Sequence, residues 1–201
     1  MLWGPPKVTF LEPPPMVDGD LELVEPAPHW VESHWRSINH PMTQNLMPAY
    51  QEMGLAQLQA FVRQYPRGHQ PNDPIRGILP AYQFWMRIPN TYHPVLPIAG
   101  SIALRISHTH DVEMYLGHIG YHVYPAMQGH HYAQRAARLL FPLARMHNFT
   151  SLWITTNPDN MASRKTCEAL GGRLIDIVPV PEDHALYRQG DREKCRYLIT
   201  L

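Results

Sequence analysis

Residues 119–173 constrain most strongly what this chain can fold into. They begin with a short apolar segment, pass through a polar turn at residues 128–133, and enter a helix rich in Ala, Leu and Arg. Residues 152–156 then read as a strand, and Asn160 is placed to cap a second helix that ends before Gly171. A strand, a polar turn opening a helix, a strand and an Asn-capped helix can together hold one ligand that contains a diphosphate.

The bulk composition excludes several classes of protein. A chain of 201 residues fits one domain with a substantial core. Lys plus Arg and Asp plus Glu both total 17, and this balance argues against a nucleic-acid partner. No apolar run approaches the ~20 residues of a membrane span, and no basic segment followed by an apolar stretch indicates a signal peptide. We therefore expect no membrane association and a cytoplasmic location, in which Cys167 and Cys195 are buried free thiols.

The N-terminal residues 1–19 are rich in proline, which fixes φ and removes backbone donors. They predict an extended arm, and residues 20–201 predict a single domain. The arm either packs on the body through Trp3, Phe10 and Leu11 or stays loose, and the sequence leaves both alternatives open.

Hydrophobic periodicity gives the remaining elements. Strands are predicted at 21–24, 78–88, 98–107, 114–123 and 152–156, with a closing antiparallel pair at 174–178 and 196–201. Helices are predicted at 28–38, at 55–65, from about residue 129 with Pro142 inside it, and after Asn160. Residues 39–53 are predicted to be irregular and 66–77 to form a loop. This order, β-α-α-β-β-β-α-β-α-β-β, predicts a mixed α/β sheet.

The turn at residues 128–133 has the properties of an anion site. The helix that follows is predicted to begin near Gly129, and its first N–H groups have no partner within the helix. The helix dipole adds partial positive charge at the same point, so a diphosphate is a suitable ligand. Gly129 lets the backbone approach that ligand closely, and Ala133 keeps the first turn small.

Residues 128–133 (Gln-Gly-His-His-Tyr-Ala) resemble the acyl-CoA-binding motif of the GNAT superfamily of N-acetyltransferases, Gln/Arg-x-x-Gly-x-Gly/Ala. The first and last positions match, whereas His131 replaces the central Gly. Residues 119–125 (Ile-Gly-Tyr-His-Val-Tyr-Pro) resemble the fourth strand of the branch that acetylates ribosomal-protein N-termini and small amines. Residues 157–164 (Asn-Pro-Asp-Asn-Met-Ala-Ser-Arg) resemble the motif that opens the next helix. The resemblance covers about residues 98–175.

The resemblance implies a GNAT-type fold: a mixed, mostly antiparallel central sheet flanked by helices and splayed between the fourth and fifth strands. It implies that acetyl-CoA lies in the splay and pairs with main chain near Val123. The donor-binding residues that it implies are Tyr121, His122, Val123, Gln128, Gly129, His130, His131, Tyr132, Ala133 and Asn160.

Two residues are candidates for the base that deprotonates the acceptor amine. His118 lies where relatives often carry an acidic residue, and its ordinary pKa near neutrality suits a base. Glu113, at the start of the same predicted strand, is the second candidate. The alternative for His118 is a packed or surface histidine.

Two further features bear on the chemistry. Relatives often place a Tyr in the helix after Asn160 to protonate the leaving thiolate, and by register Cys167 holds that position, where we expect it to pack in the core. The closest histidine groupings, 108/110 and 130/131, have no carboxylate or cysteine at ligand spacing, so we expect no metal.

The resemblance implies an acyl-CoA-dependent N-acyltransferase that transfers the acyl group directly to a primary amine of a small molecule, with acetyl-CoA as the default donor. One alternative is a protein or peptide N-terminal acetyltransferase. Another is a non-catalytic CoA-binding module, which His131 and the missing Tyr motivate. Asp183, Asp191 and Glu193 either anchor an ammonium group or belong to a solvated loop. Because family members are often dimers, the proline arm could cross to a partner in a homodimer.

Overall fold

Two antiparallel sheets form the centre of the fold. The computed structural model describes residues 8–46, 54–89 and 96–201. The larger sheet contains β1 (Val17–Asp18), β2 (Leu21–Val24), β3 (His69–Gln70), β4 (Ala81–Arg87), β5 (Ile98–Arg105) and β6 (Ile119–Val123). The smaller sheet contains β7 (Ser151–Thr156), β8 (Arg173–Pro179) and β9 (Glu193–Thr200). The helices are α1 (Val31–Ile38), α2 (Pro41–Leu46), α3 (Leu55–Gln64), α4 (Tyr132–Met146), α5 (Met161–Ala169) and α6 (Ala185–Arg188).

The strand order explains where the two sheets separate. The larger sheet has the order β1-β2-β4-β5-β6 with β3 paired to β4, and the smaller has the order β7-β9-β8. Both β6 and β7 are therefore edge strands. They meet at His118, whose backbone N–H donates to Trp153 O at 2.7 Å, and beyond this point they belong to different sheets. The predicted mixed α/β fold, mostly antiparallel and splayed between the fourth and fifth predicted strands, is confirmed.

The long helix α4 fixes one face of the larger sheet. Its buried stripe is Tyr132, Ala136, Ala137, Leu140, Leu143 and Ala144, which recur at helical spacing. The small residues let the helix approach the sheet closely, where Ile102 and Leu104 of β5 are also fully buried. Pro142 lies on the exposed side of α4, and the helix continues past it to Met146.

The strand predicted at residues 114–123 is too long. Val112–Leu116 form a π-helical turn that ends at Gly117, whose φ is 70°. Distant side chains satisfy the carbonyls of this turn: Arg196 Nε donates to Glu113 O, and Thr155 Oγ1 donates to Tyr115 O. Glu113 therefore lies on a helical turn and not at the start of a strand. Local periodicity cannot reveal a turn that residues 40 to 83 positions away stabilise.

Other boundaries also differ from the prediction. The helix expected from about residue 129 begins at Tyr132, because positive φ angles at Gly129 and His131 are not helical. Helix α2 occupies part of residues 39–53, of which 47–53 lie outside the described residues, and β3 occupies part of the predicted loop 66–77. The closing pair is confirmed as β8 and β9, with α6 in the connection between them.

The described part of the proline-rich arm packs on the body. The ring of Phe10 stacks on that of His69, with centroids 4.5 Å apart. Leu11 N–H donates to Tyr82 Oη at 2.5 Å, and the same hydroxyl lies 2.8 Å from His147 Nε2 at the end of α4. The packed alternative is therefore the one that holds for residues 8–16, while Trp3 lies outside the described residues.

Within the three described ranges, no helix combines the length and the apolar content that crossing a membrane requires.

Candidate functional site

A cavity of about 220 Å³ lies where β6 and β7 separate. Its lining includes Gly120 and Tyr121 from β6, Thr155 from β7, and Asn160 and Ser163 from the start of α5. These positions come from the two strands and the Asn-capped helix that the sequence singled out. The cavity wall is predominantly polar, which suits a reacting group more than an apolar ligand.

The edge of β6 presents main-chain groups to this gap. Arg105 N–H donates to His118 O, and Tyr124 N–H donates to Ala99 O, so the even-numbered residues of β6 pair with β5. Because bonding alternates along an antiparallel edge, the main-chain groups of Tyr121 and Val123 face the gap. Val123 O accepts a hydrogen bond from Gln128 Nε2 at 3.1 Å, which agrees with a carbonyl that points away from β5.

The turn before α4 leaves a row of N–H groups unbonded. Gly129 and His131 both have positive φ, 86° and 58°. Among the described residues no protein acceptor receives the backbone N–H groups of residues 129–134, and the next, that of Arg135, donates to His131 O at 3.0 Å. Unbonded N–H groups at a helix N-terminus, together with the helix dipole, form a site for a diphosphate.

His131 holds the backbone conformation for which glycine is the usual residue. It is the residue that precedes α4, with φ 58° and ψ 20° in the left-handed region. This conformation costs a non-glycine residue roughly 1–2 kcal/mol. Both His130 and His131 are exposed, and the ring of His130 stacks on Tyr132 with centroids 5.6 Å apart. The substitution in the family motif therefore changes the side chain but keeps the turn.

The formal charge nearest this turn is already neutralised. Arg135, in the first turn of α4, pairs through Nε with Asp18 and through Nη1 with Asp20, both at 2.7 Å. Tyr132 Oη donates to Asp20 at 2.9 Å, and burial together with Asp20 raises the pKa of this phenol to about 12. The β1–β2 hairpin thus holds the start of α4 in place.

Helix α5 brings two hydroxyls to the cavity. Asn160 caps the helix by accepting from Ser163 N–H at 3.0 Å, as the sequence predicts. Ser163 Oγ lies 2.8 Å from Tyr121 Oη, and burial raises the pKa of Tyr121, so the phenol stays protonated. Sequence reasoning missed Ser163, although its place three residues after the N-cap directs it to the same end of the helix.

Cys167 lies behind these hydroxyls. It is fully buried, its Sγ lies 4.0 Å from Tyr121 Oη, and burial raises the pKa of the thiol to about 11. A buried thiol with a raised pKa is a poor nucleophile, so these contacts favour the predicted packing role.

His118 lies at the closed end of the gap with both ring nitrogens occupied. Nδ1 accepts from Trp153 N–H at 2.8 Å, so Nε2 carries the proton and donates to Ser107 O at 3.0 Å. Burial lowers the pKa of the ring to about 4. To act as a base, His118 would first have to release one of these bonds.

The other predicted residues are placed as follows. The Glu113 carboxylate lies 3.8 Å from His108 Nδ1. His122 projects to the face of β6 opposite Tyr121, where burial lowers the pKa of its ring. The catalytic roles of His118 and Glu113, and a donor contact by His122, stay predictions.

One cluster has the composition of a metal site. Ligand atoms of His108, Glu113 and His118 lie within 4.8 Å of one another, and Glu113 is a carboxylate that sequence spacing did not associate with His108. However, the ring of His118 accepts with one nitrogen and donates with the other, which leaves no lone pair for a metal. Two remaining ligands fall short of the three or four protein ligands of a zinc site, so this cluster does not fit zinc.

A closed hydrogen-bonded ring borders the cavity on the β9 side. Lys194 Nζ donates to Asp191 at 2.6 Å and to Asn157 at 2.7 Å, while Asn157 Nδ2 donates to Asp191 at 2.6 Å. Burial opposes ionisation of Asp191, but these two donors hold the pKa of its carboxyl below the usual value. Asp191 is partly buried and pairs with Lys194, so it is not simply part of a solvated loop, and a role for it in anchoring an acceptor ammonium group stays a prediction.

Comparisons with known proteins identify the family of this chain. Residues 32–173 match the model of the acetyltransferase (GNAT) domain. The chain therefore belongs to the GNAT acetyltransferase family. No curated protein sequence matches the chain.

Several solved structures share the fold. The microcin C7 self-immunity acetyltransferase MccE, in complex with acetyl-CoA and AMP, is similar with a TM-score of 0.64, 17% identity, and coverage of 92% of this chain and 94% of that chain. The ribosomal L7/L12 alpha-N-protein acetyltransferase RimL, in complex with CoA, has a TM-score of 0.62, 17% identity, and coverage of 92% and 96%. A putative ribosomal-protein-serine acetyltransferase from Vibrio cholerae has a TM-score of 0.61, 17% identity, and coverage of 93% and 97%.

Replacing His131 with glycine tests the turn. Because glycine adopts φ 58° without steric cost, we expect His131→Gly to raise the free energy of unfolding by about 0.5–1 kcal/mol in urea denaturation. Asn148→Gly is the matched control: Asn148 has φ 63°, but a short amide side chain can offset the cost of this conformation by hydrogen-bonding locally, so the gain should be smaller. A loss of stability in His131→Gly would contradict the proposed strain.

The buried ring of His118 predicts a pH dependence of stability. The His118 ring of the unfolded chain takes up a proton below about pH 6.5, whereas the buried ring of the folded protein takes it up only near pH 4, its lowered pKa. The contribution of His118 should therefore be complete above pH 6.5 and fall by about 1.4 kcal/mol per pH unit between these values. In urea denaturation the slope should be shallower in His118→Asn than in the wild type, whereas His110→Asn, which changes an exposed histidine, should keep it. Equal slopes in all three proteins would show that His118 is not the group responsible.

Proposed function

We propose that this protein is an acyl-CoA-dependent N-acyltransferase that transfers an acetyl group directly from acetyl-CoA to the primary amine of a small molecule. The observation that carries the proposal is the row of unbonded N–H groups at residues 129–134, at the end of the strand that borders the gap. Two structures that share the fold contain acetyl-CoA and CoA, which supports this choice of donor.

In this proposal the donor is held by backbone groups. The diphosphate binds the N–H groups that follow Gln128. Gly129 leaves room for it, because no heavy atom of the described residues lies within 4 Å of the position that a Cβ would take. The pantetheine arm pairs with the main-chain groups of Tyr121 and Val123 that face the gap, and Asn160 lies on the opposite wall.

The same strand edge supplies electrostatic stabilisation. When the amine attacks the thioester carbonyl, negative charge develops on the carbonyl oxygen. The N–H groups of Tyr121 and Val123 face the gap and do not pair with β5. We assign them as the donors to that oxygen.

The hydroxyl pair supplies a proton for the leaving thiolate. Ser163 Oγ lines the cavity and contacts Tyr121 Oη, whose pKa burial raises. Ser163 donates its proton to the departing sulfur while Tyr121 donates to Ser163, and Tyr121 regains a proton from solvent before the next turnover. The acyl group passes directly to the amine, and Cys167 takes no part.

The proton of the acceptor amine needs a base. His118 uses both ring nitrogens to hold the strands together, whereas the carboxylate of Glu113 keeps free lone pairs. Neither residue is among those that line the cavity. We therefore propose Glu113 as the base, acting through water, and a structural role for His118.

The proposed function is tested by incubating the protein with acetyl-CoA and a panel of small primary amines and peptides with free N-termini, while the release of CoA thiol is followed. Turnover of small amines supports the proposal. Turnover of peptides alone would show a protein N-terminal acetyltransferase, and tight binding of acetyl-CoA without any turnover would show a non-catalytic module.

A charge reversal at the diphosphate site separates binding from stability. We expect Ala133→Glu to raise the Kd of acetyl-CoA at least about tenfold, because a carboxylate in the first turn of α4 repels the diphosphate. The helix itself gains from that carboxylate, so stability should not fall. Ala133→Gln adds the same bulk without charge and is the matched control in calorimetric titration. The same Kd in both variants would place the diphosphate elsewhere.

Removal of the cavity hydroxyl tests the proton donor. We expect Ser163→Ala to lower kcat about 10²-fold while the Kd of acetyl-CoA changes little, because the hydroxyl acts on the departing thiolate. Ser151→Ala, which removes a hydroxyl at the start of β7, should leave kcat unchanged. Steady-state kinetics of CoA release measures both, and an unchanged kcat in Ser163→Ala would assign the proton to another donor.

A further inference from the structure

Arg105, the last residue of β5, has no counter-ion at hydrogen-bonding distance among the described residues. Its Nη1 donates to two neutral acceptors, Leu116 O at 3.1 Å and Gly117 O at 3.0 Å. Its Nε and Nη2 have no acceptor among the residues that the structure describes. Asp111, a carboxylate whose charge acts on Arg105, is engaged by His184 Nε2 at 2.7 Å. Burial lowers the pKa of the guanidinium, as expected of a charge that is poorly solvated and not paired.

Arg105 is partly buried, and the chain treats its buried arginine, Arg196, differently. Arg196 Nη1 contacts both carboxylate oxygens of Asp176, at 2.9 and 3.2 Å, and its Nε donates to Glu113 O. Removing a charge from water is costly unless a partner compensates it, and buried charges are therefore normally paired. Arg105 lacks such a counter-ion in the described part of the chain, and we look to a bound ligand as the source of the negative charge.

Gly120 leaves room for the guanidinium next to the strand that borders the cavity, although Arg105 is not itself one of the lining residues. A Cβ at Gly120 would lie 3.1 Å from Nη1 and 3.2 Å from Nη2 of Arg105, so the guanidinium occupies the space of a side chain at position 120. Gly120 itself lines the cavity. Because residues alternate along a strand, this face of β6 is opposite to the one from which Tyr121 reaches α5.

Arg105 therefore lies on the side from which the acceptor approaches. In the proposed function the donor contacts Ser163 and Asn160 of α5, on the Tyr121 side. The acceptor amine has to reach the thioester from the other side, past Gly120.

We propose that the acceptor carries a carboxylate close to its primary amine, as an amino acid does, and that Arg105 binds this carboxylate through Nε and Nη2. These two groups form the side edge of the guanidinium, which matches a carboxylate with two parallel hydrogen bonds. This inference rests on the proposed function and names its acceptor class.

The test uses matched pairs of acceptors, each an amino acid and its amide, such as methionine and methioninamide. We expect kcat/KM with acetyl-CoA to favour the amino acid about 10- to 100-fold in the wild type, the size expected for hydrogen bonds between charged groups. The amide has the less basic amine, so intrinsic reactivity would give the opposite preference. The preference should nearly vanish in Arg105→Met, be partly retained in Arg105→Lys, and be unchanged in Arg145→Met, which removes an exposed arginine of α4.

Binding separates this inference from the proposed function. The same pairs are titrated calorimetrically into the protein saturated with CoA, and the Kd of acetyl-CoA in Arg105→Met shows whether that variant is folded. Carboxylate-dependent binding that Arg105→Met removes supports the inference even where no transfer occurs, in which case only the proposed function fails. Equal binding of the acid and the amide, or an equal loss of both in Arg105→Met, would overturn the inference. A preference for succinyl-CoA over acetyl-CoA that depends on Arg105 would also overturn it, because Arg105 would then bind a carboxylate of the donor and not of the acceptor.

Discussion

The paired hydrogen bonds between His118 and Trp153 determine the geometry of the site. The His118 backbone donates to Trp153 O, and the His118 ring accepts the Trp153 N–H that a main-chain carbonyl would take in a continuous ladder. A side chain thus takes the place of a main-chain partner just before β6 begins, and β6 and β7 then run in different sheets. The cavity lies where these two strands are not paired. The ring is buried, and its remaining nitrogen is held by Ser107 O, so the end point is fixed.

The consequences of this separation follow along β6. Its alternating main-chain groups, which would otherwise pair with a neighbouring strand, are presented to the gap by Tyr121 and Val123. The turn after β6 likewise presents main-chain groups to a ligand, namely the unbonded N–H groups that precede Arg135. Recognition on this side of the site depends mainly on the backbone, which explains how the motif tolerates a histidine at position 131 as long as the turn keeps its conformation.

The parts of the site that the sequence predicted are those encoded by neighbouring residues. The cap at Asn160, the polar turn before α4 and the closing pair of strands all follow from residue type and local spacing. The splay and the acetyltransferase fold are implied by the resemblance of two motifs, in this order, to those of the GNAT superfamily.

What the sequence could not predict depends on contacts between distant residues. The π-helical turn is stabilised by Thr155 and Arg196, and the ring around Lys194 joins residues 37 positions apart. No periodicity distinguishes a histidine that bonds two backbone groups from one that is free to act as a base, so His118 was a reasonable candidate for either role. The arm is a similar case, since it packs through contacts with distant residues, such as those of Phe10 with His69 and of Leu11 with Tyr82.

The pairing of Arg135 with Asp18 and Asp20 has a consequence for how the site responds to its medium. Mobile salt ions weaken attractions between full charges over about 10 Å at 0.1 M, but they act little on short hydrogen bonds to fixed dipoles. Because Asp18 and Asp20 neutralise Arg135, the nearest cation, a diphosphate at this site would be held by N–H dipoles and not by net charge. Its affinity should accordingly vary little with ionic strength, in contrast to sites that attract phosphates with free arginines or lysines.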